Sequence, residues 1–150
     1  MIRNEKGARV PVIKASHALE RVRYGDVIKI YIEAESPDCD MLRIPVVATQ
    51  VGYGRHPTDW VYLKPEHRNY FKGYLQWNTS DSATPISEWT QVTLEVSILD
   101  KAGRESNAVV FPFQFVSEAI PESHPPAPFA EDDPRLGYLN IHLMEPSRTG

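Results

Sequence analysis

The sequence has one cysteine, Cys39, no apolar run long enough to span a bilayer and no surplus of basic residues. A single cysteine cannot form an intrachain disulfide, which excludes the cysteine-stapled secreted modules. A transmembrane helix needs about 20 consecutive apolar residues, so we expect no membrane insertion. Lys and Arg number 16 against 20 Asp and Glu, for a net charge of −4. The chain therefore lacks the positive field of a nucleic-acid-binding protein.

Motifs that carry chemistry are also missing. The sequence contains neither a G-x-S-x-G nucleophile elbow nor an H-E-x-x-H zinc motif, and its five histidines stand singly along the chain. No sequence neighbour of Cys39 is a histidine that would activate its thiol as a nucleophile. The sequence thus predicts a protein that is not an enzyme and has no cofactor and no metal centre, although folding could still bring two histidines together.

One acidic cluster leaves a question about calcium open. Four carboxylates lie at the end of a predicted strand and in the loop that follows it: Glu33, Glu35, Asp38 and Asp40. β-Sandwich domains sometimes bind calcium through carboxylate and carbonyl oxygens at such a place. The sequence has no EF-hand loop, however, and a solvated acidic loop is the alternative interpretation.

What the sequence does contain is an alternation of apolar and polar residues that favours β-strands almost throughout. Thirteen prolines and eight glycines interrupt this alternation at short intervals, as turns between strands require. About seven short strands of this kind predict an all-β, two-sheet Greek-key sandwich rather than a closed barrel. The predicted strands are residues 8–13, 27–34, 42–51, 60–63, 70–77, 90–99 and 109–116, with a further strand at 136–144.

Prolines and a glycine predict finer details of three strands. Pro11 has no N–H for a ladder, so we expect the first strand at a sheet edge, with Val10 and Val12 directed inward. Pro45 predicts a bulge or a change of partner strand within residues 42–51. Asp100 and Gly103 suit a tight turn that joins residues 90–99 and 109–116 in a hairpin.

Two parts of the sequence resemble bacterial immunoglobulin-like and fibronectin type III-like domains. Residues 96–107 read VSILDKAGRESN before an alternating apolar strand, which resembles the final hairpin of these domains. Gly25 and Asp26 precede the isoleucine-rich strand, which resembles the entry to their second strand. The absence of a cysteine pair departs from the antibody type. The resemblance implies an immunoglobulin-like recognition or spacer module without catalytic residues, commonly outside the bacterial cytoplasm, in a secreted or cell-envelope setting.

The composition changes abruptly after residue 116. Residues 117–135 hold five prolines and five acidic residues, which predicts an extended, semi-rigid linker. The chain therefore divides into an immunoglobulin-like sandwich at 8–116, a linker at 117–135 and an additional strand at 136–144. That strand carries Leu139, Ile141 and Leu143 on one side and can dock on an open sheet edge. The edge belongs either to the same molecule or to a partner, and we favour the same molecule.

Aromatic residues concentrate in the middle third of the chain. On a sheet with one wet face, some of them should be exposed and able to stack on sugar rings or to anchor a protein. The candidate binding surface comprises Tyr70, Tyr74, Trp60 and Trp89. Tyr70 and Tyr74 are the best candidates for exposed positions, because they alternate with Phe71 and Leu75. The alternative interpretation is that these rings fill the core.

These patterns favour one function and leave two others open. The first is a non-catalytic module for protein recognition or assembly in an exported or surface structure, with self-association through the C-terminal strand as one form of it. The second is a carbohydrate-binding module that uses exposed aromatic residues. The third is an enzyme whose site is not visible in the sequence.

Overall fold

The computed structural model describes residues 10–79, 90–118, 120–121 and 123–144. About half of these residues lie in β-strands, which are joined by turns and loops that include a short 3-10 turn at Pro65–His67. Strands β1 to β6 are Val12–His17, Arg21–Arg23, Val27–Glu35, Met41–Gln50, Gly54–Arg55 and Asp59–Tyr62. Strands β7 to β11 are Tyr70–Asn78, Gln91–Val96, Leu99–Asp100, Val109–Val116 and Arg135–Leu139. The predicted all-β class is confirmed.

The strands form two sheets in a sandwich-like arrangement. The four-stranded sheet has the order β1-β3-β7-β11, and the seven-stranded sheet has the order β2-β10-β8-β4-β5, with β6 and β9 also beside β4. All pairings are antiparallel except β2 with β10 and β11 with β7. Apolar side chains from both sheets share one core, in which Trp77, Leu94 and Phe115 are almost fully buried. Among the described residues, no helix has the length and apolar character needed to cross a bilayer.

The first strand differs in detail from its prediction. It lies at the edge of the four-stranded sheet, as expected, but its first residue is Val12. Ile13 is buried and Val12 is 43% exposed, so the prediction that Val12 points inward is wrong. Alternate side chains of a strand face opposite sides, and the inward position of Ile13 therefore directs Val12 outward. Residues 8 and 9 lie outside the described part of the chain.

The predicted hairpin is confirmed. Strands β8 and β10 pair antiparallel, with Val96 opposite Val109. Gly103 has a φ of +85°, in the left-handed region that glycine tolerates best. The Asp100 carboxylate accepts hydrogen bonds from the backbone N–H groups of Ala102 at 3.0 Å and Arg104 at 2.8 Å. The turn therefore has the chemistry that the sequence predicts for it.

A change of partner strand occurs at Pro45, as predicted. On one side of β4, Met41 and Arg43 pair with β9, whereas pairing with β8 begins at Val46. The carbonyl of Pro45, between these two pairings, accepts a hydrogen bond from the Ser97 backbone N–H at 3.4 Å. Because proline has no N–H to donate, the ladder can change partners here without leaving a donor unpaired.

The predicted additional strand is present but shorter than residues 136–144. It is β11, which pairs in parallel with β7 of the same chain. Residues 123–134, which we name the strap, precede it and run beside the outer face of the four-stranded sheet. Phe129 of the strap is only 6% exposed, and its ring centroid lies 5.4 Å from that of Tyr31 on β3. The segment predicted as a linker thus packs an aromatic side chain on the sheet.

Candidate functional site

The aromatic residues selected from the sequence lie on different surfaces. Tyr70 and Tyr74 belong to β7 and face outward from the four-stranded sheet. Trp60 belongs to β6 and faces outward from the seven-stranded sheet. Trp89 lies outside the described residues. Folding therefore does not unite the described members of this set in one site.

Tyr70 is exposed but its hydroxyl is engaged. The side chain is 41% exposed, and the hydroxyl donates a hydrogen bond of 2.7 Å to the Glu33 carboxylate on β3. This bond to a carboxylate raises the pKa of Tyr70 to about 12, with a smaller contribution from burial. Tyr70 thus links β7 to β3 across the outer face of the sheet.

Tyr74 is half-buried and lies against side chains of β3. Its ring centroid lies 5.7 Å from that of Tyr31, and the Lys29 ammonium lies 4.8 Å from the centroid of the Tyr74 ring. The strap covers part of this face, since Lys72 donates a hydrogen bond of 2.7 Å to the carbonyl of Pro128. Burial disfavours the charged tyrosinate and raises the pKa of Tyr31.

Trp60 lies in a group of three exposed or half-exposed side chains. Trp60 and Tyr62 flank the buried Val61 on β6 and are 40% and 61% exposed. Arg43 on β4 is opposite Tyr62 in the strand pairing. The Cζ atom of Arg43 lies 4.3 Å from the centroid of the Trp60 ring, and its Nη1 donates a hydrogen bond of 3.4 Å to the Tyr62 hydroxyl. We name Arg43, Trp60 and Tyr62 the Trp60 surface.

The Trp60 surface continues along the same face of the seven-stranded sheet. Pro45 is opposite Trp60 in the strand pairing, and Val47 is the next residue of β4 on that face. Beyond Val47, Glu95 and then Val110 follow in the same row of paired residues, and Val110 is 58% exposed. A run of mainly apolar side chains thus extends from Trp60 across β4 and β8 to β10.

Arg43 brings charge and hydrogen-bond capacity to this surface. Its Nε atom is buried and has no hydrogen-bond partner among the described residues. A guanidinium that stacks on an indole keeps its in-plane N–H groups directed away from the ring face. The arrangement can therefore stack on a flat group and donate hydrogen bonds from the terminal guanidinium nitrogens, but not from the buried Nε, to an acceptor beside it.

Sequence reasoning selected Trp60 for this surface but not Tyr62 or Arg43. The alternation of Trp60, Val61 and Tyr62 was a usable signal, because residues two apart on a strand share a face. Arg43 gave no such signal. Its place depends on the pairing of β4 with β6, which is 16 to 19 residues away from Arg43 in sequence.

Two of the five histidines line one pocket. His56 and His142 share a space of about 300 Å³ with Asp59. His56 is 6% exposed, its Nε2 lies 3.0 Å from Oε1 of Gln50, and burial lowers its pKa. The Asp59 carboxylate accepts hydrogen bonds from two backbone N–H groups, those of Trp60 at 3.0 Å and Asn140 at 2.6 Å. Within the described ranges, no three or more His, Cys, Asp or Glu side chains are grouped to hold a metal ion.

Three of the four acidic residues considered as calcium ligands interact with three different side chains. Glu33 accepts the hydrogen bond from Tyr70, and Glu35 forms an ion pair of 3.5 Å with Lys14. Asp40 accepts a hydrogen bond of 3.0 Å from the Ser36 hydroxyl. Cys39, in the same loop, is exposed and has a φ of +57°.

The C-terminal segment predicted to dock is buried in its own molecule. Leu139, Ile141 and Leu143 are 4%, 5% and 2% exposed. The Trp77 indole N–H donates a hydrogen bond of 3.0 Å to the Ile141 carbonyl, and the Met144 backbone N–H donates one of 3.1 Å to Oε1 of Gln50. Residues 140–144, which we name the tail, therefore contact β7 of one sheet and β4 of the other.

Comparison of the chain with models of protein families gives no match, and comparison with curated proteins gives none either. Function is therefore inferred from the geometry of the chain's own surfaces.

Proposed function

We propose that this chain is a non-catalytic protein-recognition module that binds its partner through the Trp60 surface. One observation carries the proposal, namely the exposed stack of Trp60, Arg43 and Tyr62. The stack lies on an outer face and adds nothing to the core between the sheets. Tryptophan, tyrosine and arginine are the residues that most often dominate the free energy of binding at protein interfaces.

The restricted conformation of Arg43 in this stack also favours binding. Arg43 is held between Trp60 and Tyr62, so its long side chain loses little rotamer entropy when a partner binds. The apolar run toward Val110 widens the surface to more than one strand. We infer a partner that presents an apolar side chain to Trp60 and a carboxylate or carbonyl to Arg43.

We also propose that the sandwich is immunoglobulin-like. In that fold, strands A, B, E and D form one sheet and strands C, F and G form the other. The orders β1-β3-β7 and β10-β8-β4 support this division, whereas β11 lies in the place of strand D but comes last in the chain and runs parallel to β7. Many domains of this architecture act in recognition at cell surfaces, which supports an exported or surface setting for the module.

A photocrosslinking experiment tests the recognition proposal. A benzoylphenylalanine at position 60 of the full chain, expressed in the cells it comes from, should crosslink to a discrete partner protein. The matched control is position 138, because Tyr138 is also an exposed aromatic stacked by an arginine, but on the other sheet. With the partner purified, Trp60→Ala should weaken binding by about 30-fold or more, whereas Tyr138→Ala should not. No crosslink at position 60, or equal crosslinks at 60 and 138, would exclude the Trp60 surface.

Carbohydrate binding is the second candidate, favoured by the spacing of two rings. Trp60 and Tyr62 lie two residues apart on one exposed face, which separates them by about 7 Å along the strand. Two such rings can stack on a sugar chain. In a glycan panel followed by tryptophan fluorescence, saturable quenching that disappears in Tyr62→Ala, which keeps the Trp60 fluorophore, would favour this candidate over protein recognition.

A further inference from the structure

A pocket of about 200 Å³ lies against the outer side of β3, is lined also by Arg21 and Val22 of β2, and includes no residue of the Trp60 surface. Its floor is formed by outward-facing residues of β3, among them Val27 and Lys29. Leu19, in the crossover from β1 to β2, forms a wall. Ile120 and the strap residue Pro125 lie over the floor. Parts of the chain far apart in sequence thus enclose one space.

The pocket exposes large aliphatic side chains to water. Val27 is 55% exposed and Leu19 is 41% exposed, and both line this space. An apolar group placed between them would remove their surface from water, which is favourable in proportion to the area covered. An engineered protein cavity of about 150 Å³ accommodates benzene, so this pocket has room for one ring or a short branched chain.

The basic residues near the pocket differ in whether they form an ion pair. Arg21 forms an ion pair with Glu118, and Arg23 forms one of 3.7 Å with Asp26. Lys29, by contrast, forms no ion pair with any carboxylate of the described residues, and its ammonium lies over the ring of Tyr74. Lys29 lines the pocket, so its ammonium is the candidate anchor for an anionic group, because a charge-assisted hydrogen bond is stronger than a neutral one.

We propose that this pocket binds a small organic carboxylate with an apolar body. The apolar body lies between Val27, Leu19 and Pro125, and the carboxylate accepts a hydrogen bond from the Lys29 ammonium. This binding is separate from partner recognition, because the pocket shares no lining residue with the Trp60 surface.

Phenylacetate and its neutral analogue phenylacetamide test the proposal on the full chain. Titration of the ¹⁵N-labelled protein with phenylacetate should give saturable chemical-shift changes at the amides of Val27 and Ser123, which line the pocket. Phenylacetamide should bind about tenfold more weakly, because it lacks the charge that pairs with Lys29. Lys29→Gln should lower phenylacetate affinity to the same level, whereas Lys29→Arg should retain it. Lys101→Gln, in an exposed turn, is the matched control and should change nothing.

Several results would overturn the proposal. Absence of saturable shifts at the pocket amides would show that phenylacetate does not bind there, and equal affinities for the acid and the amide would exclude a charge-selective site. If Lys29→Gln does not fold, Val27→Glu offers a second variant at a position that is 55% exposed. Its added carboxylate should abolish phenylacetate binding, and unchanged binding would place the ligand elsewhere.

Discussion

Individual buried polar residues fasten the tail to the sandwich. Gln50 is 1% exposed, and its Oε1 accepts hydrogen bonds from the Met144 backbone N–H and from His56 Nε2. A carboxamide oxygen can only accept, so the proton of the neutral His56 ring lies on Nε2. Two polar side chains are thereby buried with hydrogen-bond partners, which removes most of the cost of their desolvation.

His56 makes the stability of the fold depend on pH. Burial lowers the pKa of His56 in the folded state below its ordinary value of about 6.5. Its contribution is therefore complete above that ordinary value and is lost as the pH falls through the lowered pKa. We expect the free energy of unfolding, measured with urea, to decrease as the pH is lowered from about 7.5 to about 5.5.

Two variants isolate the contribution of His56. His56→Gln should flatten this pH dependence, because an amide still donates to Gln50 but does not titrate. His142→Gln, at an exposed histidine of the same pocket, is the matched control and should keep the slope of the parent protein. An equal slope in the parent and His56→Gln would show that another group is responsible.

The edge strand β1 is protected against pairing with a further strand. The free edge of β1 is closed by a side chain, since Asn107 accepts a hydrogen bond of 2.9 Å from the Ile13 N–H and donates one of 3.2 Å to the Ile13 carbonyl. The pairing of β1 with β3 also shifts register between Ile13 and Ala15. Both features interrupt the regular ladder that another strand would need in order to add to this edge.

At the opposite edge, β11 approaches β6 so closely that only glycine fits. A Cβ atom at Gly137 would lie 2.5 Å from Cγ1 of Val61, a buried residue of the other sheet. Gly137→Ala should therefore lower the free energy of unfolding by about 1–3 kcal/mol. Urea unfolding measures the loss. The control Tyr138→Ala changes an exposed neighbour and should stay within about 0.5 kcal/mol.

A double-mutant cycle assigns that loss to its cause. In a Val61→Ala background the obstructing methyl groups are absent, so Gly137→Ala should cost clearly less than in the parent chain. An identical cost in both backgrounds would mean that β11 and β6 do not meet as described.

At the scale of the whole molecule, the C-terminal region completes the sandwich. The strap packs Phe129 on the outer face of the four-stranded sheet, β11 extends that sheet, and the tail crosses to β4. Self-association through residues 136–144 would require these contacts to open first. The segment with the most linker-like composition is therefore followed by residues that belong to the core.

The tail should accordingly carry a large share of the stability. Leu143 is 2% exposed, and Leu143→Ala should lower the free energy of unfolding by about 2–5 kcal/mol, through lost burial and the cavity that remains. Met144→Ala, at an adjacent side chain that is 43% exposed, should change it by no more than about 0.5 kcal/mol. If Leu143→Ala and Met144→Ala had equally small effects on thermal and urea unfolding, the buried position of the tail would be contradicted.

The sequence predicted most of what depends on neighbouring residues. Alternation identified the strands around Ile30, Leu75, Leu94 and Phe113, and Pro45 identified the change of partner in β4. The prediction that Val12 points inward was wrong, because alternation alone does not show which face of a strand is turned toward the core. Two of the three residues of the Trp60 surface could be predicted, since Tyr62 follows from Trp60 by alternation, whereas Arg43 required the pairing of two strands.

The sequence by itself determined the all-β class, the hairpin at Asp100 and the strand order along the chain, because period-two alternation and turn chemistry are local. Only the tertiary structure decided which aromatic residues share a surface, that the strap covers Tyr31, and that Leu139, Ile141 and Leu143 lie within their own molecule. These outcomes depend on which distant strands pair and on what covers each face. Such long-range choices are made by burial of the whole apolar surface at once, and no short stretch of sequence encodes them.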